Sequence, residues 1–212
     1  LGQFERPAGL IYNAFIDAYR DAGGHKVKAF LPPSTWPRWV GIDPGAVHQA
    51  TLWLAHDPTE DVYYLYRENL EGDKSTAEHA QGALALMKAH RERVIRWFIG
   101  NRSEIQQRKD WKAAGVKNVS DPPIWDVESG IDKVIQLFKE HRLYVTDDCK
   151  GVLDEIGSYR RKLDENDQPT DAIKNKERFH RLDALRYVVV GVTHKTTATR
   201  GAAPEGLQTY RG

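Results

Sequence analysis

In the first half of the chain, apolar residues gather in short runs cut by turn residues; further on they take up helical spacing. Arg38 to Ile42 is a brief apolar run stopped by Asp43-Pro44-Gly45, which predicts a buried strand ending at a turn. Ala50 to Ala55 and Val62 to Glu68 carry β-branched and aromatic residues around His56-Asp57-Pro58, and predict a hairpin. Ser75 to Arg91 is rich in Ala, Leu, Glu and Lys; Ser75 followed by Glu78 predicts a helix opened by a capping box. Val94 to Ile99 predicts a strand ended by Gly100-Asn101, and Ser103 to Ala114 a helix capped by Ser103 and closed by Gly115. Val116 to Val119 reads as a short strand. Ile131, Val134, Ile135 and Phe138 place a helix over Val127 to His141, and Leu143 to Thr146 is a further strand. Val152, Ile156 and Tyr159 share one helical face, and Lys162 to Lys176 reads as a charged loop. Phe179 to Val192 is a last helix whose packing stripe is Leu182, Leu185, Val189 and Val192. Strand, turn and helix in alternation predict an α/β fold.

The pattern divides the chain into a lead-in over residues 1–38, broken by Pro32, Pro33 and Pro37, a packed domain over 39–193, and a flexible tail over 194–212 that is rich in Thr, Gly and Ala. With no initiator Met and no charged-then-apolar leader, Leu1 reads as an internal boundary. Against 31 Lys and Arg stand 30 Asp and Glu, a net charge of +1, which excludes a uniformly basic nucleic-acid coat but leaves room for a local patch. One cysteine, Cys149, excludes an internal disulfide and favours a reducing compartment, with cytoplasm as the expectation. No run approaches the roughly 20 apolar residues of a membrane span, so no membrane partner is expected.

The candidate chemistry is acidic. Metal-dependent phosphodiester hydrolysis needs several hard oxygen ligands, and open α/β sheets place ligands at the carboxyl ends of their strands. Asp43 ends the first long strand, Glu104 follows the Val94–Ile99 strand, and Asp183 projects from the last helix, so three distant positions can meet at one sheet end. Each also has a plainer reading. Asp43 suits a turn, Glu104 a helix N-terminus, and Asp183 an i,i+3 pair with Arg186. Arg91, Arg93, Arg96, Arg102, Arg108, Lys109 and Lys112 surround Glu104 as either a phosphate rim or a solvated helix face; Lys150, Arg160, Arg161 and Lys162 form a second such strip. His180 shares a helical face with Asp183 and is either a structural histidine or a phosphate contact. Asp147, Asp148 and Cys149 are a weaker metal candidate, and Asp126 and Glu128 suit a helix N-terminus. Scattered tryptophans read as packing residues, and no phosphate-binding Gly-rich loop is present, so ATP hydrolysis is not expected of this chain.

Three strings carry a resemblance: Val40-Gly41-Ile42-Asp43-Pro44-Gly45; Gly100 to Gly115 with Ser103-Glu104-Ile105 and Asp110-Trp111-Lys112; and Phe179-His180-Arg181-Leu182-Asp183-Ala184-Leu185-Arg186-Tyr187. In order and spacing they resemble the nuclease domain of tailed-bacteriophage large terminase subunits, the Asp-Ala-Leu-Arg-Tyr segment being the most discriminating. The lead-in from Gly9 to Arg38 is similar to the junction that follows the packaging ATPase in that family.

The resemblance implies an RNase H-like mixed central sheet flanked by helices. It also implies a two-metal endonuclease, using Mg2+ or Mn2+, that cleaves concatemeric viral double-stranded DNA at initiation and termination of packaging. Asp43, Glu104 and Asp183 then match the metal-binding acids, Arg102, Arg108, Lys109 and Lys112 are DNA-contact candidates, and Asn101 and His180 possible accessory groups. The implied partners are an N-terminal packaging ATPase in the full-length form, a small terminase subunit and the portal of a procapsid, in the host cell cytoplasm. A Holliday-junction resolvase or recombinase of the same fold, and a noncatalytic DNA- or partner-binding module, are the alternatives.

Overall fold

Strand β2 (Arg38–Asp43) lies inside the sheet, and every residue but Trp39 is buried, because helices cover both faces. The computed structural model describes residues 8–45, 47–100 and 103–194. A short strand β1 (Lys26–Val27) precedes β2; β3 (Gln49–Asp57) and β4 (Val62–Glu71) follow it in an antiparallel meander. Helix α1 (Thr76–Ala89) carries the chain to β5 (Val94–Ile99), which lies parallel to β2 on its other side. Then come α2 (Ile105–Ala113), β6 (Val119–Ser120), α3 (Val127–Lys139), β7 (Leu143–Thr146) and α4 (Lys150–Ser158). A separate hairpin of β8 (Arg161–Leu163) and β9 (Pro169–Ile173) precedes α5 (His180–Thr193).

The seven-stranded order is β1-β7-β4-β3-β2-β5-β6, with β2–β3 and β3–β4 antiparallel and the other pairs parallel. This is the mixed, helix-flanked RNase H-like arrangement that the resemblance implied. One face packs against α3, α4 and α5 through Ile131, Val134, Val152, Leu182 and Leu185; the other packs against α1 and α2 through Ala80, Ala83 and Trp111. Trp53, Trp97 and Trp111 are fully buried packing residues. Among the described residues no helix is long and apolar enough to cross a membrane.

Several local expectations are met atom by atom. Ser75 and Glu78 form the capping box of α1, and Asp126 caps α3 by accepting from the Ser129 N–H. Others need correction. Helix α2 starts from Glu104, not Ser103, and has no side-chain cap bond. The strand expected over Val116 to Val119 shrinks to Val119 and Ser120. The charged loop from Lys162 to Lys176 is largely the β8–β9 hairpin, whose strands are exposed and therefore show no apolar run or alternation. Tyr159 lies just past the end of α4 but is fully buried. The lead-in packs into the main core through Ile11 and Tyr12 and adds β1 to the sheet edge. The expected tail lies outside the described residues from position 195 onward.

Candidate active site

Helix α5 crosses β2 so closely that a Cβ on Gly41 would stand 2.1 Å from the Ala184 carbonyl oxygen. Only a residue without a side chain permits that approach, and it brings the first turns of α5 beside the end of β2. Asp43, the last residue of β2, is buried at 8% exposure. His180, the first residue of α5, donates from Nδ1 to Asp43 Oδ2 at 2.9 Å. Burial raises the Asp43 pKa above the ordinary carboxylate value and the negative charge of Asp183 adds to the rise, while the bond from His180 opposes it. That same bond raises the His180 pKa.

One turn into α5, Asp183 accepts from Arg186 Nη2 at 2.5 Å. Glu104 comes from the other flank of β2. Gly100, at the end of β5, adopts φ +60° and donates its N–H to the Ile42 carbonyl at 2.8 Å. The Glu104 carboxylate then fills the place of the missing side chain, since a Cβ on Gly100 would lie 1.4 Å from its Oε2. Tyr187, one turn beyond Asp183, is 5% exposed. Its hydroxyl pKa is raised by burial, then by the negative charges of Asp43, Asp183 and Glu104. The carboxyl ends of β2 and β5 and the start of α5 thus bring the three sequence-predicted acids into one neighbourhood. Among the described residues no three His, Cys, Asp or Glu side chains are arranged to hold a common ion. Asp43 is engaged by His180 and Asp183 by Arg186, while Glu104 is folded against Gly100.

The remaining candidates separate. Lys109 and Lys112 are exposed on α2. Arg108 is buried, its guanidinium donating to the Ile99 carbonyl at 3.0 Å, so it ties α2 to the end of β5 instead of facing solvent. Asn101 and Arg102 lie outside the described residues. The weaker metal candidate is structural in its bonding: Asp147 accepts from the Tyr19 hydroxyl, Lys28 and the Ala29 N–H, while the Cys149 thiol is buried and pushed up to about 12. Three neighbours of the site had no role assigned from sequence: Gly41 and Tyr187, which stand in the strings that carry the resemblance, and His48, whose ring lies obliquely 5.6 Å from that of His180. Gly41 carried a usable signal, since a glycine inside an apolar strand marks close backbone approach.

The chain is 26% identical over 190 residues to the large terminase subunit of Escherichia phage T5, a match covering 87% of this chain and 42% of that protein. The chain is therefore similar in sequence to a tailed-phage large terminase subunit. The fold agrees with solved terminases. The large terminase of a thermophilic bacteriophage superposes with a TM-score of 0.69 at 22% identity, over 89% of this chain and 46% of that one. The P22 large terminase nuclease domain gives a TM-score of 0.61 at 24% identity, over 86% and 92%. No family model matches the chain. The chain spans about two fifths of the length of the T5 relative.

Proposed function

We propose that this chain is a metal-dependent endonuclease of double-stranded DNA that cuts concatemeric viral DNA as packaging of a genome starts and ends. The observation that carries the reading is the placement of Asp43 at the end of β2, Asp183 in the first turn of the helix packed on β2 at Gly41, and the Glu104 carboxylate against Gly100, which bonds to Ile42 of β2, in a chain similar to a large terminase subunit. Carboxylate oxygens are hard donors suited to Mg2+ or Mn2+. A crowded set of acids, one of them buried and destabilised by its neighbour's charge, fits divalent cations better than it fits an empty cavity. The related large terminase nuclease domain of SPP1 is solved with Mn bound (TM-score 0.59), and that of phage G20c with magnesium (TM-score 0.57), which supports either ion here. Bound by the three acids, two such ions would supply Lewis-acid neutralisation of the charge that develops on the phosphate and on the leaving 3′ oxygen.

The chain's own side chains set up that site. His180 fixes the rotamer of Asp43, and Gly100 gives the Glu104 carboxylate its place beside β5. Lys109 and Lys112, exposed on α2, are the candidates for contacts with substrate phosphates, with Arg102 and Asn101 as further candidates from the sequence. In this reading the start of the chain leads in from a packaging ATPase, and the nuclease is 39–193 together with the part of the lead-in that packs into its core and adds β1. The assembled machine adds a small terminase subunit and the portal of a procapsid in the host cytoplasm.

Supercoiled-plasmid cleavage tests it. Nicking and linearisation are expected with Mg2+ or Mn2+, no product with EDTA, and none from Asp183→Ala with either ion. The variant should retain duplex binding, because removing a negative charge favours phosphate approach. Cleavage that survives Asp183→Ala, or wild type inert with both ions, overturns the assignment, and a strong preference for branched over linear duplex moves it to a junction resolvase.

A further inference from the structure

Between α4, the β8–β9 hairpin and the start of α5 lies a cleft of about 480 Å³, whose walls include Arg160, Lys174, Arg178 and Arg181 together with Asp154 and Glu155. These charges do not all cancel. Arg181 is taken up by Glu155 at 2.9 Å and Glu68 at 3.2 Å, and Glu155 is used further by the Leu182 N–H. That leaves three cations against the lone carboxylate of Asp154. Among the described residues none of Arg160, Lys174 and Arg178 has a carboxylate within ion-pair distance. The Nε of Arg160 is buried without a protein partner, an arrangement that favours an anionic guest over solvent alone.

The two ends of the hairpin hold Arg160 and Lys174 side by side. The Lys174 N–H donates to the Arg160 carbonyl at 2.9 Å, and Arg161 pairs with Ile173 in the ladder while its guanidinium holds Glu128 and the Asp171 carbonyl. Like charges gathered this way repel one another unless something negative lies between them. The cleft also adjoins the acid site directly: Phe179 and Arg181 line it, and the residue between them is His180, the partner of Asp43. In the sheet, α2 follows β5 on one side of β2, whereas α4 follows β7 on the other.

We propose that the cleft is a phosphate track that grips the backbone of the DNA duplex beside the acid site. The proposal rests on the nuclease reading above. Arg160, Lys174 and Arg178 each take a phosphate oxygen, as unpaired cations do along a DNA backbone, and carry no sequence preference.

The test compares wild type, the exposed pair Lys174→Ala/Arg178→Ala, and the triple variant that adds Arg160→Ala. A second pair, Lys109→Ala/Lys112→Ala, reports on α2. Binding of a linear duplex is followed by fluorescence anisotropy in EDTA over a salt series, with urea unfolding as the fold control. The triple variant should bind roughly tenfold or more weakly and lose about 3 from the slope of log K against log salt, the double about 2, at close to 0.9 per phosphate contact. Wild-type affinity and slope in a folded double variant overturn the track, as does wild type that fails to bind duplex. Wild type that binds with the expected slope but cuts with neither metal overturns the nuclease reading instead, and the variants' slopes still decide the cleft.

Discussion

Arg186 is 4% exposed, and its guanidinium has one clear carboxylate partner, Asp183 at 2.5 Å. Room for it comes from α3, where a Cβ on Gly130 would stand 3.3 Å from Nη1. Burial lowers its pKa but the charge and hydrogen bond of Asp183 more than offset this, so the guanidinium stays protonated in the core. Removing one member of a buried pair leaves the other charged and desolvated. Arg186→Met should therefore cost about 3 kcal/mol in urea unfolding. Asp183→Asn added to Arg186→Met should cost much less than it does alone, so the double-mutant cycle shows strong coupling. Additive effects would mean that the two groups do not act as a pair. The i,i+3 spacing made this pair legible in the sequence. Its burial was not, because the depth of that helix face depends on Gly130, 56 positions away. Glu104 and Gly100 repeat the lesson: both residues were visible as a helix start and a strand end, while the fit of one carboxylate into the other's missing side chain belongs to three dimensions.

Packing of α5 on β2 is the element-scale event that assembles the acids, and it turns on one position. In Gly41→Ala the new methyl carbon meets a helix carbonyl at 2.1 Å, and neither backbone can yield without moving the other. Overpacking against rigid backbone lies at the upper end of the usual range, so a loss of about 3 kcal/mol is expected in urea unfolding. Because α5 carries His180 and Asp183, metal-dependent plasmid cleavage should fall as well, even below the unfolding midpoint. A variant with wild-type stability and cleavage would mean that α5 is not seated on β2 as described. Elements were most legible where their ends carry local chemistry. Strands β5 and β7 match their sequence readings because Gly100 closes one and the Thr146–Asp147 turn the other, and the α1 capping box is spelled out in four residues. The β8–β9 hairpin escaped because both of its faces are largely exposed, which removes the alternation that marks a half-buried strand. The α2 start was misplaced because Glu104, which precedes the helix, turns its carboxylate toward Gly100 instead of capping.

At the scale of the whole molecule, the segment before β2 is the least legible part and among the most integrated. Strand β1 has two residues, and its partner β7 lies more than a hundred positions away, so no local pattern announces it. His25 shows how tightly this segment is built in. Its ring is fully buried, Nδ1 accepts the Ile16 N–H at 2.9 Å, and Nε2 donates to the Phe138 carbonyl of α3 at 2.8 Å. Those two partners require the neutral tautomer with its proton on Nε2, since a proton on Nδ1 would confront the Ile16 N–H. Phe15, Phe138 and Tyr144 surround the ring, and His141 stacks on it at 4.7 Å. Burial, with a smaller contribution from the charge of His141, accordingly lowers the His25 pKa below its ordinary value of 6.5. The sign follows from linkage. Below about pH 6.5 the unfolded chain takes a proton that the folded chain refuses, so the stability held above that pH is lost as pH falls through the lower folded value. Buried His79 acts in the same direction, whereas His180, raised by Asp43, acts oppositely, its stabilisation present in acid and lost as pH rises through its folded value. The His25 share is isolated by difference: urea midpoints of wild type and His25→Gln, compared from about pH 7.5 to 5, should converge as the pH falls. Midpoints separated by a constant gap over that range would show that His25 carries no suppressed proton and that the first segment is not locked to α3 through a neutral imidazole.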